Sequence, residues 1–271
     1  MLLSDRMRAV VGLVKPCDCM ADIGCDHGYV SMELVKNNIC KRMIAMDINH
    51  GPLELAKSNI RTYEMQDYIE TRISNGTEAL QPNEVDGMIC AGMGGRLTIN
   101  ILTEGMELVR EMKQLILQPQ SEIDEVRKFL RLNGFSIEKE DIVCEDGKYY
   151  PMMRVILEHF GKQELQMSGQ LSLKYLMQTD KEIYATAPEV SELSKEETEK
   201  MTRVQDMYGP YLLAKGHPVL RSYLLWQKEN LENILGNLKS QKKPSARQQY
   251  RIIELEQELS DIVFCLYKYF M

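Results

Sequence analysis

The stretch Ala21-Asp22-Ile23-Gly24-Cys25-Asp26-His27-Gly28, followed some twenty residues later by Ile44-Ala45-Met46-Asp47, decides the fold. It reads as a buried strand, a glycine-bearing turn and a helix start, then a second strand ending in an acid. An open parallel α/β sheet holds a nucleoside cofactor in this way, at the carboxyl edge of its first two strands. The glycines let backbone approach the ligand closely. The later carboxylate, Asp47, is placed to accept hydrogen bonds from two ribose hydroxyls. A dinucleotide fold needs G-x-G-x-x-G so that a pyrophosphate can rest on the helix N-terminus. Here Cys25-Asp26-His27 separates Gly24 from Gly28. An acid at Asp26 repels pyrophosphate but suits a cationic sulfonium and its amino-acid tail. The turn therefore favours S-adenosylmethionine over a nicotinamide dinucleotide, and a dehydrogenase is the least favoured reading.

Outward from this core, strands and helices alternate. Ser4 caps a first helix to Val14. Strands are expected at 20–23, 42–47, 69–74, 85–91 and 114–118, with helices at 29–36, 52–63, 96–106 and 122–132. Pro52 is tolerated in a first helical turn. Two antiparallel strands, 135–145 and 148–158, flank Asp146-Gly147, a strong two-residue hairpin signal. The alternation implies a Rossmann-like α/β sheet of seven strands, mostly parallel with one antiparallel strand, and helices on both faces.

The character changes after residue 160. Residues 161–217 read as a linker or helical excursion, and Ser194-Lys195-Glu196-Glu197 is a capping box opening a helix to Tyr208. Beyond it, Leu220, Leu224, Leu231, Ile234 and Leu238 recur at three- and four-residue steps. Ile252, Leu255, Leu259, Ile262, Leu266 and Tyr269 do the same. Two such helices joined through Pro244 form an antiparallel coiled-coil hairpin over 218–271, each arm roughly 33 Å long. Packing of both helices on the sheet domain is the plainer alternative.

The chain of 271 residues carries a net charge of −7, so nucleic-acid binding needs a local basic patch. Seven cysteines contain no Cys-x-x-Cys pair, and histidines are scattered. Reduced thiols in a cytoplasmic protein, without metal, are expected. Charged residues interrupt the first twenty positions, so no signal peptide or membrane span is expected.

Several motifs together carry a family resemblance. Asp22-Ile23-Gly24-Cys25-Asp26-His27-Gly28-Tyr29 resembles a D-I-G-[ST]-D-H-A-Y block, and Ala91-Gly92-Met93-Gly94-Gly95 an A-G-M-G-G block. Leu115-Ile116-Leu117-Gln118-Pro119-Gln120 is close to L-[IV]-L-Q-P-N. Glu145-Asp146-Gly147-Lys148-Tyr149-Tyr150 is like E-D-G-K-[FY]-Y, and Leu3-Ser4-Asp5-Arg6 like the opening L-S-x-R. Over residues 2–158 the chain resembles the bacterial tRNA (adenine-N1)-methyltransferases that modify adenine 22, the TrmK family. Asn75 stands where that family has Asp, Gly28 where it has Ala, and Gln120 where it has Asn.

The resemblance implies methyl transfer from S-adenosylmethionine to N1 of adenine 22 in tRNA, and a monomer is expected. It implies a cofactor site of Asp22, Gly24, Cys25, Asp26, His27, Gly28, Asp47, Ile48, Asn75, Gly76, Ala91 and Gly92. Met93, Gly94 and Gly95, with Gln118, Pro119 and Gln120, are candidates for the base. Asp26 and Tyr29 are the candidate catalytic pair, the acid for charge and the ring for stacking. The residues do not decide whether Asp26 or His27 meets substrate or only cofactor. Lys239, Lys242, Lys243, Arg247 and Arg251 cluster around the hairpin tip and are candidates for tRNA phosphate, against the alternative of a solvated turn. A methyltransferase of a small molecule or protein, and a non-catalytic cofactor-binding adaptor, are the competing readings.

Overall fold

A computed structural model of the chain describes residues 3–157, 194–240 and 245–271. The chain divides into two units, Met1–Tyr175 and Leu176–Met271.

In the first unit five parallel strands, β1 (Cys17–Ile23), β2 (Cys40–Asp47), β3 (Ile69–Ile73), β4 (Gly87–Met93) and β5 (Gln114–Pro119), precede the hairpin β6 (Phe135–Glu145) and β7 (Lys148–Leu157). The sheet order is β3-β2-β1-β4-β5-β7-β6. Only β7 runs against the rest, antiparallel to both β5 and β6, as the sequence leads one to expect. Strand order reverses between β1 and β4, which opens a crevice beyond their carboxyl ends.

Successive strand residues face opposite layers, and both layers are apolar, the pattern of a sheet covered on two sides. Met20, Met43, Ala45, Ile89 and Ile116 pack towards α1 (Asp5–Leu13), α2 (Tyr29–Lys36) and α3 (His50–Thr62). Ala21, Ile44, Met46, Met88, Cys90, Leu115 and Leu117 pack towards α4 (Gly95–Glu104), the single turn α5 (Met106–Val109) and α6 (Ile123–Leu132). Asp146 and Gly147 both have positive φ, 50° and 73°, as a tight twisted hairpin turn requires.

Several boundaries differ from expectation. β1 and β2 begin at Cys17 and Cys40, before the expected Met20 and Arg42, because Cys17 already pairs with Cys40 across the ladder. The polar Asp18, Lys41 and Arg42 hide this from an apolar pattern. α3 starts at His50, ahead of Pro52, with Asn49 as its N-cap. β4 runs on to Met93, and the register with β5 slips between Ala91 and Met93. Gly92, at φ +82°, occupies that bulge.

The second unit holds α7 (Lys195–Tyr208), α8 (Pro210–Ala214), α9 (Pro218–Lys239) and α10 (Ala246–Phe270). The expected Ser194–Glu197 capping box is present, and Ser245 with Gln248 forms another at the start of α10. α9 and α10 are antiparallel. Lys239 near the end of α9 pairs with Glu256 at 2.6 Å, while Gly216, just before α9, abuts the Tyr269 carbonyl. The apolar stripe is not the expected one throughout. Ile234 is 46% exposed and Leu235 is buried in its stead. α7 and α8 pack on α10 as well. Asp261, fully buried, accepts two hydrogen bonds from Arg203 of α7, at 2.8 and 3.0 Å, and one from Gln257. The part of 161–217 that is described therefore contributes helices that pack on α10.

Candidate functional site

The crevice at the strand-order reversal is a cavity of about 480 Å³, within the range of small-molecule sites. Its floor is the turn from β1 into α2. Gly24, Asp26 and Gly28 all have positive φ, 71°, 51° and 74°. The N–H groups of Gly24 and Cys25 both donate to the Met46 carbonyl, at 2.8 and 2.9 Å. A Cβ at Gly24 would collide with the tip of the Met93 side chain, which lies over the turn.

Three carboxylates line the cavity. Asp22 is buried, and its Oδ2 accepts from the Ser31 hydroxyl at 2.7 Å. Burial pushes its pKa up to about 6, against the pull of the Ser31 hydrogen bonds and helped by the charges of Asp26 and Asp47. Burial likewise raises the Cys25 thiol, with the same three acids adding to the effect, so Cys25 lines the site as a neutral group. Asp47 is buried at the end of β2, and its Oδ1 accepts the Asn49 N–H at 2.8 Å. Asp26 is the open one, its side chain 61% exposed.

The far wall is the turn after β3. Ser74 holds it, donating to the Gly76 carbonyl at 2.9 Å and accepting the Ala79 N–H at 3.1 Å. Asn75 donates its amide N–H to Glu78 at 3.0 Å, and Asn75 and Gly76 both line the cavity. Ile48, Leu97 and Ile101 supply apolar surface.

Of the residues singled out from the sequence, Asp22, Gly24, Cys25, Asp26, Asp47, Ile48, Asn75, Gly76, Ala91, Gly92, Met93 and Gln120 come together around this cavity. The others stand off it for identifiable reasons. Gly28 caps α2, and a side chain there would press on Ala56 of α3. His27 lies outside the lining, its Nε2 3.5 Å from Asp26 and its ring 5.6 Å from that of Tyr29. Tyr29 opens α2 beside it. Gly94 caps α4. Gly95 is packed against the backbone carbonyls of Ser121 and Glu122. Pro119 is buried in β5. Gln118 is fully buried, with its Oε1 taken by Arg6 at 2.8 Å and its Nε2 turned to the Pro119 carbonyl.

Sequence reading missed one wall altogether. Arg6, Met7 and Val10 of α1 line the cavity, as do Val30, Asn49 and Ser74. Arg6 belongs to the quoted L-S-x-R opening, but nothing local shows that this helix folds back on the crevice.

In the second unit, Lys239 is paired with Glu256 and Arg251 with Glu254 and Glu258. Arg247 is exposed. Lys242 and Lys243 lie outside the described residues. Among the described residues no cluster of three or more potential metal ligands occurs, and no helix is long and apolar enough to cross a membrane. All seven cysteines are free thiols.

The cavity fits S-adenosylmethionine on its own chemistry. Gly24 and Gly92 leave bare backbone, and the carboxylates match a cation with ribose hydroxyls. A seven-stranded sheet of this order with such a seat defines a nucleoside-cofactor transferase of the methyltransferase class. The chain belongs to the methyltransferase-domain family, whose model matches residues 3–153. Over 151 residues it is 33% identical to the tRNA (adenine(22)-N(1))-methyltransferase of Bacillus subtilis, covering 56% of this chain and 63% of that protein, less than two thirds of its length. It is 35% identical over 155 residues to a putative tRNA methyltransferase of Mycoplasma pneumoniae, covering 55% of this chain and 70% of that one. A putative 1-methyladenosine-22 tRNA methyltransferase of Streptococcus pneumoniae, solved with S-adenosyl-L-methionine, superposes with a TM-score of 0.74 at 26% identity, over 98% of this chain and 100% of that chain.

Proposed function

We propose that this protein transfers a methyl group from S-adenosylmethionine to N1 of adenine 22 in tRNA. The observation that carries the reading is the acid-lined, glycine-floored cavity at the sheet reversal, lined by Asp47 and by the Gly92 bulge among others. The relatives' described activities support the choice of substrate. When bound, the cofactor supplies an electrophilic methyl group on a sulfonium.

The protein's own residues do the rest. Asp47 would hold ribose hydroxyls, and the 74–76 turn, which also lines the cavity, would take the cofactor's adenine. Asp22 fixes the β1–α2 turn through Ser31. The target N1 carries an in-plane lone pair and is unprotonated at neutral pH, so no strong base is required. Positioning supplies much of the acceleration. Gly92 removes side chain from the place where the base must approach. Positive charge appears on the adenine as it is methylated, and Asp26, on the open side of the cavity, is the carboxylate that balances it. Tyr29, beside His27 and off the cavity, has no part in this reading. The exposed cation Arg247 of the second unit meets tRNA phosphate.

The test is incubation with labelled S-adenosylmethionine and unmodified tRNA transcripts, followed by nucleoside mass spectrometry. The expected result is 1-methyladenosine that disappears when adenine 22 is replaced. Cofactor binding without transfer to any transcript would shift the function to a small-molecule or protein methyltransferase.

A further inference from the structure

At the edge of the sheet opposite the cavity, two cysteines meet. Cys17 opens β1 and Cys40 opens β2, and together they form the first rung of the parallel ladder. Neighbouring strands lie about 4.8 Å apart, a Cα separation that a disulfide spans. Side chains on one rung point to the same face, and here the two sulfurs are 3.3 Å apart. Among the described residues no other two cysteine sulfurs are in contact.

The two thiols are not equivalent. Cys17 is half-buried, whereas Cys40 is 1% exposed. The Cys40 thiol donates to the Cys17 sulfur, which lowers the Cys17 thiol from its ordinary value and raises that of Cys40. Burial and the carboxylates of Asp86 and Asp18 oppose the fall at Cys17, and Lys113 favours it. Cys19, Cys25, Cys90 and Cys265 are all buried and raised by that burial. Cys144 is exposed but has no second cysteine beside it. A reachable thiol that ionises readily, with another thiol against it, is the arrangement that oxidants select.

We propose that Cys17 and Cys40 form a reversible, hydroperoxide-reactive pair, with Cys17 the attacking thiol and Cys40 the resolving one. The Cys17 thiolate attacks one peroxide oxygen, the O–O bond breaks, and the departing hydroxide takes up the Cys17 proton as water. Cys17 is left as a sulfenic acid. Cys40 then loses its proton and attacks the Cys17 sulfur. The S–S bond forms, the S–O bond breaks, and the hydroxide leaves with the Cys40 proton as a second water. The two thiols give up two electrons, and the peroxide takes them. A thiol reductant reopens the bond by exchange. Bridging also stops Cys17 short of the irreversible sulfinic acid. Neither cysteine lines the cavity, so this chemistry does not depend on what the cavity binds.

The test is treatment of the reduced full chain with equimolar hydrogen peroxide, followed by non-reducing peptide mapping with fragmentation to place any linked sulfurs. The wild-type monomer is expected to lose two of its seven thiols, as a Cys17–Cys40 link that dithiothreitol reverses. Its mass should fall by about 2 Da, the two thiol hydrogens. Cys40→Ser should instead accumulate a Cys17 sulfenic acid, trapped by a cyclic 1,3-diketone, and excess peroxide should carry it on to sulfinic acid. Cys17→Ser should slow the loss of the Cys40 thiol by at least about 10-fold. Circular dichroism establishes that each variant folds, and the wild-type map decides the question whether or not they do. Cys17 and Cys40 both remaining free thiols after Cys144 has reacted would overturn the proposal. So would a bond from Cys40 to Cys19, or a Cys40 thiol lost at the wild-type rate in Cys17→Ser.

Discussion

Asp22→Asn isolates the electrostatic cost of burying a carboxylate in the cavity wall. Asp22 is buried and hydrogen-bonded to Ser31, and its pKa rises from the ordinary 3.8 to about 6. Burial is the main cause, and the nearby charges of Asp26 and Asp47 add to it. The folded protein thus holds this proton more tightly than the unfolded chain does. Asp22's contribution to stability is greatest below pH 3.8 and is lost as pH rises to about 6. At about 1.4 kcal/mol per pH unit the loss amounts to about 3 kcal/mol at neutral pH. Asparagine keeps an oxygen for the Ser31 hydroxyl and removes the charge. Without cofactor, Asp22→Asn should match wild type near pH 4 and exceed it by about 3 kcal/mol above pH 7. In a domain of this size that is about 6–12 °C in melting temperature. Differential scanning of both proteins from pH 4 to pH 8 reads the difference directly, because titrations shared by the two proteins cancel. A difference that stays flat with pH, or a variant less stable at pH 8, would refute the reasoning. With cofactor the balance turns, since a bound cation favours the carboxylate. Wild-type affinity should rise through pH 6 while that of the variant does not.

Four further outcomes follow from the structure. Asp47→Ala should weaken S-adenosylmethionine binding by about 10- to 100-fold in calorimetry, since charge-assisted hydrogen bonds to the ribose are lost. Gly95→Ala should destabilise the first unit by about 1–3 kcal/mol in a thermal melt, because its Cβ would meet the backbone carbonyls of Ser121 and Glu122, which cannot swing aside. Asp261→Ala should cost about 1.5–3 kcal/mol in denaturant unfolding of the second unit. The half-exposed Arg203 left behind regains water, which keeps the loss below that of a wholly buried pair. Arg247→Gln should reduce the salt slope of tRNA binding by about 1, whereas Lys239→Gln, already neutralised by Glu256, should change it less.

Much of the fold was legible because its signals are local. Alternating elements, the Asp146-Gly147 turn and the Ser194 capping box each depend on a handful of neighbouring residues. The gathering of Gly24, Asp47, Ala91, Gly92 and Met93 around one cavity was legible for the same reason, since they lie at strand ends whose sequence announces them. What escaped the sequence depends on distant partners. Gln118 looks like a base reader at the end of β5 until Arg6, 112 positions away, is seen to hold it. α1 reads as a plain amphipathic helix, and only the packed sheet turns Arg6, Met7 and Val10 into a wall. In α9 the buried position is Leu235 and not Ile234, because the face turned to α10 decides which side is covered, and spacing alone does not show that face. Asn75 lines the cavity as expected, but its side-chain N–H bond to Glu78, three residues on, is not apparent from the Asn-Gly turn pair.

The Met46 carbonyl, which takes both the Gly24 and Cys25 N–H groups, has a consequence for how such a site can diversify. The residue that follows it is Asp47. The β1–α2 turn and the carboxylate that ends β2 are therefore spliced through one peptide unit. Neither can drift without dragging the other, so the distance between them behaves as a ruler, cut in the proposed reading to the length of a single cofactor. Substitutions at Met93, Leu97 or Gln120, which also line the cavity, leave that ruler untouched, so in the proposed reading the substrate side of the site can change while the cofactor side cannot.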